Sequence, residues 1–126
     1  MSFAEQIKSN CGKLPYDRIT VWRFSRSELT AIPRGVVFVF ATWSGHAIRS
    51  FRLFCDALAG SSIHGFSIFV VDADGFDPDA FEGAFGDLPQ GKGEAYWIQN
   101  GQVLHRDHGY TDETKRVLLE RIGEFI

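Results

Sequence analysis

The chain has 126 residues, 44% of them hydrophobic and 23% charged, with a mean hydropathy of −0.09. These values fit a single domain (1–126) with a substantial core and exclude a disordered chain. No apolar run approaches the ~20 residues of a membrane helix, so no membrane association is expected. The net charge of −3 is unevenly spread: residues 1–60 hold eight Lys/Arg against four Asp/Glu, and residues 61–126 five against twelve. No Lys or Arg lies between Arg52 and Lys92, which argues against nucleic acid as a partner, since that needs a dense basic surface. The acidic stretch there (Asp72, Asp74, Asp77, Asp79, Glu82, Asp87) reads either as a solvated edge or as a docking face for a basic partner.

In chain order, Phe3, Ala4 and Ile7 fall on one side of a short helix that Asn10, Gly12 and Pro15 stop. The N-terminus lacks a basic start followed by an apolar stretch, so it does not read as a secretion signal and a cytoplasmic location is expected. Ile19 to Phe24 is β-branched and aromatic and predicts the first strand. Ser25 and Glu28 have capping-box spacing for a short helix through Ile32, ended by Pro33 and Gly35.

Val36 to Ala41 is a continuous apolar run, the pattern of a strand covered on both faces. Thr42-Trp43-Ser44-Gly45-His46 breaks it. From Ala47 the period becomes helical, with Ile48, Phe51, Cys55 and Leu58 on one face, Ser44 placed as N-cap, and Gly60-Ser61-Ser62 at the end. Phe66 to Val71 predicts another buried strand. Asp77-Pro78-Asp79 opens a short helix in which Phe81 and Phe85 sit four apart. Glu94 to Ile98 and Gln102 to His105 predict two strands joined at Asn100-Gly101, a strong hairpin signal. Gly109 ends the hairpin, and Thr111 is the expected cap of a last helix with Asp112 and Glu113 in its first turn and Val117, Leu118, Ile122 and Phe125 inward. Alternating strands and helices followed by a hairpin and one helix predict an α/β sandwich around a mixed sheet.

Chemistry is sparse. Ser44 and His46 are two residues apart at a helix start, so their side chains diverge and do not form a nucleophile–base pair. His105 and His108 lack metal-ligand spacing, and a two-histidine site of His46 with His108 would need a third ligand. The DADGFDPD run departs from calcium-loop spacing. Two cysteines make no disulfide framework. Cys55 sits on an apolar helix face as a small hydrophobe, and Cys11, beside Gly12, is expected nearer the surface.

The strand, the loop with Trp43 and Gly45, the following helix and the closing stretch YWIQNGQVLHRDHGYTDETKRVLLERI together resemble the thioredoxin family over residues 17–126, with residues 1–16 as an N-terminal helical extension. The resemblance implies a three-layer α/β/α thioredoxin-like fold and a substrate groove built from Trp43–His46, Gly91–Glu94 and His108–Tyr110. The family's redox loop reads Trp-Cys-Gly-Pro-Cys, whereas this chain reads Trp43-Ser44-Gly45-His46-Ala47. By the same resemblance Gly93 stands at the family's cis-proline and Phe38 at its buried aspartate. Thiol–disulfide exchange needs an attacking thiolate and a resolving thiol, and this loop has neither.

The reading is therefore a redox-inactive, non-enzymatic protein-binding module without a cofactor: an adaptor, assembly chaperone or inhibitor. Its partner would meet Trp43, Ser44, Gly45, His46, Lys92, Gly93, His108, Gly109 and Tyr110, with Trp43, His46 and Tyr110 as the anchor. The alternatives are an oxidoreductase-related protein using Cys55 or Cys11, and a small-ligand or metal module in the same groove.

Overall fold

The computed structural model describes residues 1–61 and 63–125, with the side chains of Arg26 and Ser27 left aside. Helices α1 (Phe3–Asn10), α2 (Arg26–Thr30), α3 (Gly45–Ala59), α4 (Pro78–Phe85) and α5 (Lys115–Gly123) surround strands β1 (Ile19–Val21), β2 (Arg34–Phe40), β3 (Ser67–Asp72), β4 (Ala95–Gln99) and β5 (Gln102–Asp107). The five strands form one mixed sheet in the order β1-β3-β2-β4-β5. β3 runs parallel to β1 and β2, and β4 is antiparallel to β2 and β5. This is the mixed sandwich that the element order predicts.

The period of two along the central strands sorts their side chains into two cores. Val36, Phe38 and Phe40 of β2, Ile68 and Val70 of β3, and Trp97 of β4 join α1, α3 and α5 in the larger core. Val37, Val39, Val71, Tyr96 and Ile98 point the other way, where Leu29 of α2 and Phe81 and Phe85 of α4 close the smaller one. Aromatic rings fill both: Phe38 lies 4.9 Å from Phe54 and Phe40 stacks on Phe51 at 4.6 Å, while Phe81 stacks on Phe85 at 4.2 Å. The extension is part of the first core, with Ile7 fully buried and Phe3 against Phe40.

Local signals hold at most boundaries. Asp77 caps α4 through the Ala80 amide with Pro78 at the first position, and Asn100 and Gly101 turn the hairpin with φ of 52° and 74°. Four expectations are corrected. β1 stops at Val21, because the Trp22 ring turns into the smaller core and its indole donates to Glu28. α2 ends at Thr30 rather than Ile32. α5 begins at Lys115: Thr111 and Thr114 exchange amide-to-hydroxyl bonds and hold residues 112–114 as a turn, so Asp112 and Glu113 precede the helix. Cys11 is 5% exposed, because α1 lays its C-terminal end on the larger core. Ser62, expected at the end of the long helix, lies outside the described residues.

Candidate functional site

β2 delivers the loop at residues 41–44 to one end of the sheet, and α3 leaves from it. The Ser44 amide donates to the Ala41 carbonyl, and the Ser44 hydroxyl accepts the Ala47 amide at 3.3 Å. Ser44 is thus an N-cap, as its sequence position predicts, and Ala47 is fully buried under the loop. Gly45 and His46 are exposed.

Trp43 is 66% exposed. Its indole N–H donates to Asp74 at 3.1 Å, and its ring lies over Gly91, where a Cβ would come within 2.6 Å of Cη2. A groove of about 460 Å³ opens beside this loop, lined by His46 and Arg49 of α3, by Lys92, and by His108, Gly109, Tyr110 and Thr111. Five of the nine predicted contact residues therefore line one groove. Trp43, Ser44 and Gly45 sit outside its lining.

Two of those nine expectations need correction. Tyr110 is 2% exposed: its ring is drawn inward, the hydroxyl donating to Asp107 at 2.7 Å and accepting from the Trp97 indole at 3.0 Å. It forms part of the groove wall and is no exposed anchor. Gly93 is buried against α3, where a Cβ would meet Ser50 Cβ at 2.6 Å and the Ala47 Cα at 3.1 Å. Its φ of +80° lies in the left-handed region that favours glycine, and the described residues contain no cis peptide bond.

Ser50, which sequence reasoning missed, locks the three segments together. Its fully buried hydroxyl donates to the Gly93 carbonyl at 2.9 Å and accepts the Tyr110 amide at 2.8 Å. Only the chain's three-dimensional path brings residues 50, 93 and 110 together, so no sequence signal marks it. Ser50→Ala leaves a buried carbonyl and a buried amide unpaired and is expected to cost about 2 kcal/mol, read as a lower urea midpoint with an unchanged m-value.

Glu94 is also fully buried, its carboxylate accepting the amides of Gln90 at 2.6 Å and Lys92 at 3.2 Å, which fixes the 90–94 loop. Most of the acidic stretch is engaged in hydrogen bonds. Asp72 accepts the Asp74 amide, Asp74 the Trp43 indole, Asp77 the Ala80 amide and Asp87 the Leu88 amide. His105 pairs with Glu124 and His108 with Asp87. Among the described residues no group of three or more His, Cys, Asp or Glu is arranged to hold a metal.

Cys55 is fully buried, and burial, then neighbouring Cys11 and Asp56, push its thiol well above the ordinary range. Burial likewise raises the hydroxyls of Tyr96 and Tyr110, helped by nearby carboxylates. The unfolded chain ionises these groups first, so the folded state holds more protons at high pH. Stability is therefore expected to fall as pH rises past about 9 to 10, where free cysteine and tyrosine titrate; urea midpoints at pH 8 and pH 10.5 check this.

No protein-family model and no curated protein matches the sequence. Among solved structures, a single-residue mutant of the thioredoxin from Halobacterium salinarum NRC-1 is similar, with a TM-score of 0.63 at 17% identity over 86% of this chain and 91% of that one. Reduced desulfothioredoxin of Desulfovibrio vulgaris Hildenborough gives 0.62 at 14% identity, and reduced thioredoxin pre-protein of Schistosoma mansoni 0.62 at 18%, each over 86% of this chain and 96% of its own. Together with the sheet order and the strand-loop-helix around Trp43, these likenesses identify the chain as a thioredoxin-fold domain.

Proposed function

We propose that this domain is a redox-inactive protein-binding module, meeting its partner at the groove beside His46 and serving as an adaptor, assembly chaperone or inhibitor. One observation carries the reading. Where the thioredoxin loop has its two sulfurs, this chain has a serine engaged as a helix cap and an alanine fully buried, while both of its own thiols lie in the core. A buried thiol with a raised pKa supplies almost no thiolate, which argues against the alternative that Cys55 took over the reaction. Two unbridged cysteines suit a reducing compartment such as the cytoplasm. What remains at the loop is an exposed tryptophan next to a groove, a composition suited to recognition.

Two experiments test this. In a dithiothreitol-driven insulin reduction assay the protein is expected to leave the rate at its uncatalysed value; acceleration would remove the redox-inactive reading. Affinity capture from the source organism's lysate, comparing wild type with the Trp43→Ala, His46→Ala variant, is expected to retain a protein that the variant loses. Capture that the variant leaves unchanged would move the interface to another surface.

A further inference from the structure

The charge lining the groove goes further, and the step rests on the protein-binding reading above. We propose that the groove takes an acidic, extended segment of the partner, whose carboxylates are read by Arg49 and Lys92 with His46 and His108 beside them. These four side chains come from three separate parts of the fold, and all are exposed. Among the described residues no carboxylate lines the groove. Neither Arg49 nor Lys92 has an ion-pair partner among the described residues, whereas Glu94 is held by two amides and Asp74 by Trp43, and Asp87 lies outside the lining, 3.2 Å from His108. The groove is thus a cationic depression on a chain that is acidic overall.

The same geometry argues for a peptide over a free phosphate. Phosphate sites are built from backbone amides aimed at the ligand. Here the amides of Lys92, Tyr110 and Thr111 already donate to Glu94, Ser50 and Thr114. The side chains of Arg49 and Lys92 reach carboxylates spaced along a chain, with the Arg49 guanidinium suited to a two-pronged grip. A volume of about 460 Å³ also exceeds what one oxyanion fills, since a water takes about 30 Å³. Exposed pairs of this kind give modest, salt-sensitive affinity.

Fluorescence anisotropy on the full chain tests this, with three eight-residue peptides alternating apolar residues with Glu, Gln or Lys. The Glu peptide is expected to bind at least tenfold more tightly than the other two, and more weakly as NaCl rises from 25 to 300 mM. The Arg49→Gln, Lys92→Gln variant should lose at least tenfold in affinity while keeping the wild-type melting curve. Equal binding of the Glu and Gln peptides would overturn the proposal. So would competition by inorganic phosphate at the concentration of the peptide, which would assign a free-anion site. Self-association in sedimentation that this variant abolishes would assign the groove to a second copy's acidic stretch and overturn it too. If the Trp43–His46 surface still captures a partner while no acidic peptide binds, this inference fails and the protein-binding reading stands. An empty capture with tight peptide binding means the opposite: the acidic-segment site stands and the partner reading fails.

Discussion

Asp107→Ala is expected to lower stability by about 3 kcal/mol, visible as a fall of about 10 °C in melting temperature for a chain of this size. The carboxylate ends β5 and is 9% exposed. One oxygen accepts from the Trp97 indole at 3.1 Å, the Tyr110 hydroxyl at 2.7 Å and the Arg121 Nε at 3.2 Å, and the other accepts the Arg121 Nη2 at 3.1 Å. Removing it leaves a guanidinium facing a gap and strips two core donors of an acceptor. The Trp97–Tyr110 bond survives, and the partly exposed Arg121 gains water, which keeps the loss below the ~5 kcal/mol of a fully buried broken pair. Asp107→Asn keeps the shape and one acceptor, so about half of the loss is expected. Thermal melts of the two variants check the ordering. If both equal wild type, the network contributes nothing to stability.

The second large effect is at Gly93. Gly93→Ala places a Cβ 2.6 Å from Ser50 Cβ, 2.8 Å from Ser50 Oγ and 3.1 Å from the Ala47 Cα. Two of these neighbours ride on the backbone of a 15-residue helix, so α3 itself must shift. With left-handed strain of about 1–2 kcal/mol and overpacking of about 1–3 kcal/mol, the expected loss is about 3 kcal/mol. Gly91→Ala is the matched control. Its φ is also positive, at +76°, but its Cβ would meet the rim of the exposed Trp43 ring, which can swing away by giving up only its exposed bond to Asp74. Only the strain of about 1 kcal/mol should remain there. Urea unfolding of both variants decides the matter, and equal losses would discard the packing argument.

Much of this fold is legible in the residues, because its signals are local. The apolar run into Trp43, the helical period after Ala47, the Asp77-Pro78 start and the Asn100-Gly101 turn each act within a few neighbours. The site is legible only in outline. Tyr110 reads as a loop aromatic free to meet a partner, and only its contacts with Trp97 and Asp107 turn it inward. Thr111 has the chemistry of a cap, but Thr114 competes for the same bonds and delays the helix. Trp43 is exposed, yet Asp74, distant in sequence, sets the direction in which it leans. In each case the deciding partner lies on another element or competes locally, and no spacing rule encodes it.

The alternation along β2 has a consequence for how the groove is positioned. Phe38 and Phe40 face the larger core, and Val37 and Val39 the smaller, with β3 and β4 hydrogen-bonded on either side. Sliding this strand by one residue would drive two phenyl rings into the space that Phe81, Phe85 and Tyr96 already fill, and leave valines opposite Phe51 and Phe54. The unequal sizes of the two cores therefore work as a ratchet with one permitted stop. Trp43 follows Phe40 by three residues, so the same stop sets how far the loop projects beyond the sheet. Ring volume deep in the interior thus calibrates the height of the Trp43 loop at the surface.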